Sequence, residues 1–259
     1  MQINASGVHM TTLSIDDNPL ARKLGVREWQ GRELIPPKPE EYLVDGMIPA
    51  NSLVCLQTNG VYGKTTLAMQ LAMTVAFDLP FLGSYACLQP GKVLFLSARD
   101  TDDDNHRRFK RLVREWSKSD SAIDQKIEGN LNNLTCISMY DDCYGLTPHL
   151  VDVSGSNSKT YTYLYQFIEY YKIKLVILDP VEDFFPENLK NVSELYRKLR
   201  HLDATVLMIV GDRKRYDAFH GDEVGMFLNE SGLCLKNFFT GHREIPLEIG
   251  AGIWTAPTA

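Results

Sequence analysis

Apolar and polar residues fall in blocks along this chain rather than alternating singly. Leu53-Val54-Cys55-Leu56-Gln57 is a short unbroken apolar run, a strand by its length. Lys64 to Phe77 is rich in Ala, Leu and Met and predicts a helix. Lys92 to Ser97 is a second buried strand. From Asp102 to Lys118 the pattern changes, with Phe109, Leu112, Val113 and Trp116 at i, i+3, i+4 and i+7, an amphipathic helix with a basic outer face. Leu134 to Met139 predicts a third strand, Tyr161 to Tyr171 an aromatic helix, and Lys174 to Asp179 a fourth strand. Val192, Leu195, Tyr196, Leu199 and Leu202 mark one side of a further helix, and Thr205 to Val210 is a fifth strand. Gly232 to Trp254 has no helical period and predicts two or three antiparallel strands. Strands that are apolar throughout are buried on both faces, as in a parallel sheet covered by helices.

Composition narrows the reading little. With 259 residues, 44% hydrophobic and 23% charged, the chain is globular and large enough for a sizeable core. No apolar run approaches the ~18 residues of a transmembrane helix. Lys and Arg total 27 against 33 Asp and Glu, a net charge of -6, so the surface as a whole is not built to coat nucleic acid. Cys55, Cys87, Cys136, Cys143 and Cys234 are odd in number and show no C-x-x-C spacing, which predicts free thiols, a reducing cytoplasmic setting and no structural zinc. Met1 to Met10 reads as a cloning remnant. Residues 11–41, with Pro37-Lys38-Pro39-Glu40-Glu41, read as an arm or linker with little structure of its own, and residues 42–259 as the ordered domain.

The candidate chemistry begins between the first strand and the first long helix. Thr58-Asn59-Gly60-Val61-Tyr62-Gly63-Lys64-Thr65 approaches the pattern G-x-x-x-x-G-K-[ST]. A phosphate-binding loop needs backbone N–H groups converging at a helix N-terminus, a Lys for the terminal phosphates and a hydroxyl for Mg²⁺. Gly63, Lys64 and Thr65 supply the last three positions in order, and the loop amides through Thr66 the cradle. Thr58 stands where the pattern has its first glycine, so the entry turn must differ. Leu175-Val176-Ile177-Leu178-Asp179 ends an apolar strand in a carboxylate, which with Thr65 is the candidate Mg²⁺ pair. Asp179 follows Lys64 by about 115 residues, which suits one sheet with several intervening elements.

Taken in order, these motifs resemble a known family. Leu43-Val44-Asp45-Gly46-Met47-Ile48-Pro49, the phosphate loop, Thr66 to Ala72, Pro80-Phe81-Leu82-Gly83 and Pro90 to Leu96 are similar to the RepA-like branch of RecA-fold ATPases. Arg107 to Leu112, Asp179-Pro180, Phe184-Phe185-Pro186, Leu235-Lys236-Asn237 and Gly252-Ile253-Trp254-Thr255 continue the resemblance over roughly residues 42–255. The branch includes hexameric plasmid replicative helicases and many phage and mobile-element ATPases. The resemblance implies a RecA-like P-loop NTPase, an α/β fold whose mostly parallel central sheet is flanked by helices and followed by antiparallel strands. It also implies ATP and Mg as cofactors and a homo-oligomer, with the hexamer as the form that the branch's helicases take.

The departures from the family bear on activity. Members usually carry a Glu in a Leu-Glu-Asp-like triplet after the second strand, where it polarises the attacking water. Here the triplet is Ala98-Arg99-Asp100, and a guanidinium cannot accept a proton at neutral pH. Loss of a general base removes a factor of about 10² to 10⁴ in rate. The family's His-His-x-Arg-Lys segment reads Val210-Gly211-Asp212-Arg213-Lys214, which retains Arg213 and Lys214 as fingers toward a neighbour's nucleotide. Asp100, Glu182 and Asp183 are carboxylates near the missing base. They read first as solvated loop charges. Asp100 should point to the opposite face of its strand, whereas Glu182 reaches the site if the turn at Pro180 folds back. The catalytic candidates are therefore Lys64, Glu182, Arg213 and Lys214.

Two further surfaces stand out. The loop Arg213 to Asp222 places basic residues beside Tyr216 and Phe219, suited to single-stranded DNA, although Asp217, Asp222 and Glu223 dilute its charge. The helix bearing Arg107, Arg108, Lys110, Arg111 and Arg114 is a second basic strip, with Asp102-Asp103-Asp104 complementing its dipole. Tyr163, Phe167, Tyr170 and Tyr171 share a helical face that reads as core or subunit interface. The expectation is an ATP- and Mg-binding ATPase with weak hydrolysis, an oligomeric motor or switch in DNA replication, recombination or mobile-element maintenance. The rival is a degenerate nucleotide-binding scaffold acting through a protein partner. A different nucleotide or a cyclic dinucleotide at the altered loop is a third reading.

Overall fold

The computed structural model describes residues 18–24, 34–58, 63–118, 122–140, 146–189 and 192–211, together with the backbone of five later strands between 224 and 255. The chain divides into two compact units, residues 1–40 and 41–259. In the first, α1 (Pro19–Leu24) forms where the polar, Pro-containing stretch predicts little structure. Its start is explained locally. Asn18 Oδ1 accepts the Leu20 N–H at 2.9 Å, and Pro19 occupies the first helical position, where a missing N–H costs nothing.

The second unit opens with a hairpin of β1 (Tyr42–Val44) and β2 (Ile48–Pro49), which the sequence pattern did not separate from its surroundings. The central sheet then builds from β3 (Leu53–Thr58), β4 (Val93–Ser97), β5 (Leu134–Ser138), β6 (Leu175–Asp179) and β7 (Thr205–Ile209). Three further strands, β8 (Val224–Asn229), β9 (Gly232–Asn237) and β10 (Gly241–Pro246), complete it in the order β10-β9-β8-β3-β7-β6-β4-β5. Strands β3 to β8 pair in parallel, and β9 and β10 run antiparallel to their neighbours. A separate antiparallel pair joins β11 (Glu248–Gly250) to β12 (Ile253–Thr255). The expected α/β fold and antiparallel tail are both present, with β8 an additional parallel strand ahead of that tail.

The apolar runs are explained by a core on each face of the sheet. Val54, Leu56, Phe95, Ile177 and Leu207 face one core, and their neighbours Cys55, Leu96, Val176, Leu178 and Met208 face the other. The first core is covered by α2 (Lys64–Phe77), whose residues Thr66 to Phe77 are all buried, and by α3 (Asp102–Ser117) and α4 (Ala122–Asn130). The second is covered by α5 (Lys159–Tyr171) and α6 (Val192–Leu199). On α5 the buried residues are Tyr161, Leu164 and Ile168, spaced i, i+3 and i+7. Of the two expectations for the aromatic face, core or subunit interface, the first is corrected for Tyr163, Tyr170 and Tyr171, which are exposed, while Phe167 packs against the second core.

Two features of this architecture position a site. Strand β7 lies between β3 and β6, so the loop after β3 and the end of β6 are one strand apart along the same edge. Register then sets Ser97 of β4 beside Asp179 of β6, with the Ala98 N–H donating to the Asp179 carbonyl at 2.8 Å.

Candidate nucleotide site

At the carboxyl end of β3 the chain must reverse into α2. Gly63 makes the junction at φ 75° and ψ 32°, a left-handed conformation that favours glycine. Among the described residues no side chain caps α2, and no acidic residue lies in its first turn, so its dipole favours an anion. Asn59, Gly60, Val61 and Tyr62 lie outside the described residues, as does the Thr58 side chain. Thr66 is buried in the first turn of α2.

Lys64 and Thr65 begin the helix and meet the end of β6. Burial lowers the pKa of the half-buried Lys64 ammonium, while the charges of Asp179 and Glu182 oppose that shift. Asp179 is 7% exposed. Burial pushes its pKa up to about 6, against a hydrogen bond from the Thr65 hydroxyl and the positive charges of Arg108 and Lys64. Its Oδ2 has no hydrogen-bond partner. A buried carboxylate oxygen left unpaired is costly, and a hydroxyl and a carboxylate side by side are oxygen donors suited to Mg²⁺. The donor set thus fits the ion that the phosphate-loop pattern implies.

A second cluster lies on the turn after β6. The 3₁₀ turn Val181–Phe184 brings Glu182 inward, where it is 2% exposed. Its Oε2 accepts the Gly211 N–H at 3.1 Å, and Arg99 Nη2 stands 4.0 Å from its Oε1. A Cβ at residue 211 would lie 2.3 Å from that Oε1, so any larger residue there would push this carboxylate aside. Arg99 holds Asp183 with two bonds, Nε to Oδ2 at 2.6 Å and Nη2 to Oδ1 at 3.0 Å. Asp100 pairs with Arg108 at 2.8 Å.

The expectation that Asp100, Glu182 and Asp183 are solvated loop charges is therefore corrected. All three are partnered, and Glu182 is buried within electrostatic reach of Lys64. The turn at Pro180 does fold back. Sequence reasoning placed Arg108 in the basic strip of α3 rather than beside Asp100, and did not assign Gly211 its supporting role. A glycine immediately after a buried strand, at the edge carrying the candidate carboxylates, was the available signal for Gly211. Arg213, Lys214 and the loop 213–222 lie outside the described residues. Among the described residues no group of three or more His, Cys, Asp or Glu could hold a metal, and no helix is long and apolar enough to cross a membrane.

A sequence model for the family described as "AAA domain" matches residues 21–210. The match begins inside the segment read as an arm and ends one residue before Gly211. No curated protein matched the chain. With the parallel sheet, the Gly63-Lys64-Thr65 helix start and the match over most of its length, this chain belongs to the AAA domain family of RecA-like P-loop ATPases.

Proposed function

We propose that this AAA domain binds ATP with Mg²⁺ at the junction of β3, α2 and β6 and hydrolyses it slowly. We place it nearest the RepA-like branch, as an oligomeric motor or switch in DNA replication, recombination or mobile-element maintenance. The observation that carries the binding proposal is the buried Asp179, with one oxygen on Thr65 and the other unpaired, beside the Lys64 ammonium.

In this reading the Lys64 ammonium offsets the charge of the terminal phosphates, and amides from Gly60 to Thr66 cradle them. The Thr65 hydroxyl and Asp179 Oδ2 hold the metal. When bound, Mg²⁺ neutralises charge building on the phosphate oxygens. Glu182 is the carboxylate best placed to take a proton from an attacking water, through Oε1, because Oε2 is occupied by Gly211. Arg99 competes for that oxygen, which is why we expect slow turnover. Arg213 and Lys214 act toward a neighbouring subunit's nucleotide in the oligomer, and the loop 213–222 meets single-stranded DNA.

One observation favours a second reading. Arg99 is committed to two carboxylates at the position where the family carries its Glu, which suits a scaffold that binds nucleotide and acts through a protein partner. Phosphate release by the purified chain, with and without single-stranded DNA and beside light scattering, separates the two. Slow turnover stimulated by DNA in an oligomer supports the motor. Tight ATP binding with a flat, negligible rate supports the scaffold.

A further inference from the structure

We propose that the outer face of α3 binds the phosphate backbone of a nucleic acid, through Arg107, Lys110, Arg111 and Arg114. These residues sit at i, i+3, i+4 and i+7, so they form one stripe along the helix, and all four are exposed. With His106 they line a shallow depression of about 510 Å³. The stripe runs opposite the apolar one formed by Phe109, Leu112, Val113 and Trp116, which faces the core.

Stabilisation of the helix itself does not explain the stripe. Arg107 pairs with Asp104 at 2.7 Å and lies 4.0 Å from Asp103, and Arg114 pairs with Glu115 at 3.3 Å. Glu115 is also held by Lys118 at 2.7 Å. Lys110 and Arg111, between them, form no ion pair among the described residues. Arg107 with Arg111, and Lys110 with Arg114, are like charges at i, i+4, an arrangement that destabilises a helix by a few tenths of a kcal/mol per pair. A polyanion laid along the stripe offsets that repulsion.

The chemistry of the face selects the partner. The centre of a protein interface is apolar and depleted in charged residues. No large hydrophobic side chain on α3 is exposed, so this face offers charge alone. From Arg107 to Arg114 the helix rises about 10 Å, which matches about three phosphate steps of 3.4 Å along one strand. The face is separate from the nucleotide site. Arg108, on another side of α3, is the residue that turns toward Asp100 and Asp179.

The test is fluorescence anisotropy of the full chain with a labelled oligonucleotide, single-stranded and as a duplex, between about 50 and 200 mM salt. The parent is expected to bind at low salt, with affinity falling steeply as salt rises. Lys110→Glu with Arg111→Glu should weaken binding at least tenfold and flatten the slope of log affinity against log salt by roughly two. Lys110→Gln with Arg111→Gln should give an intermediate loss. ATP affinity should stay at the parent's value in both variants. A parent that binds neither oligonucleotide overturns the proposal, as does a charge-reversed variant with the parent's affinity and slope. A change of oligomeric state without a change in oligonucleotide affinity also overturns it, and marks the strip as a protein contact.

Discussion

The backbone N–H of Gly211 donates to Glu182 Oε2 at 3.1 Å, joining the end of β7 to the turn after β6 across the candidate nucleotide site. A Cβ at residue 211 would stand 2.3 Å from the other carboxylate oxygen, so a side chain there must move the Glu182 carboxylate. Gly211→Ala should displace Glu182 or shift β7, with an overpacking cost of about 1–3 kcal/mol. For a chain of this size that lowers Tm by roughly 2–4 °C per kcal/mol. Calorimetric melting checks it, and an unchanged Tm would show that the contact is not tight.

Arg99 and Glu182 give a prediction about rate. Arg99 is more than half exposed, so Arg99→Ala should change stability by only about 0–1 kcal/mol. It should raise phosphate release, because the guanidinium no longer contends for Glu182 Oε1. Adding Glu182→Gln on that background should return the rate to the parent's level or below. The ceiling for the gain is the value of a general base, about 10²–10⁴. Equal rates in Arg99→Ala and the parent would exclude Arg99 as the brake on turnover, and an undiminished rate on adding Glu182→Gln would exclude Glu182 as the proton acceptor.

Asp179 predicts how stability and metal binding depend on pH. Its folded pKa is raised to about 6 from an ordinary carboxylate's 3.8, so the folded state holds this proton more tightly than the unfolded one. As pH rises between these values the unfolded chain has already released the proton while the folded chain keeps it. Stability from this group therefore falls through that window and is lowest above about pH 6, by a few kcal/mol. Mg²⁺ competes with the same proton, so Mg²⁺-dependent nucleotide binding should strengthen with pH up to about 6 and then level off. Asp179→Asn should melt higher than the parent at neutral pH without nucleotide, and lose the extra thermal shift from ATP with Mg²⁺. A variant that melts lower and keeps that shift contradicts the assignment.

The legibility of this protein follows the range of the interactions that set each feature. Helix α2 could be read because Gly63-Lys64-Thr65 and the apolar run after it agree, and β4, β6 and β7 because strands covered on both faces are apolar throughout. The candidate metal pair could be read because Asp179 ends such a strand. The surroundings of Glu182 could not. Its burial depends on a 3₁₀ turn packing against Gly211, 29 residues later, and neither residue carries a local pattern that names the other. The same holds for Arg99, whose absence from the base role was visible but whose grip on Asp183 spans 84 residues. On α5 the aromatic stripe did not distinguish core from exposed face, because Tyr has an apolar body and a polar tip and occupies exposed helix faces readily.

Isothermal calorimetry of ATP with Mg²⁺ against the full chain tests the central claim most directly, with Lys64→Ala alongside. The account predicts saturable binding to the parent and at least a tenfold weaker affinity for Lys64→Ala, about 1.4 kcal/mol or more. Binding heats absent from the parent, or indistinguishable between the two proteins, would contradict it.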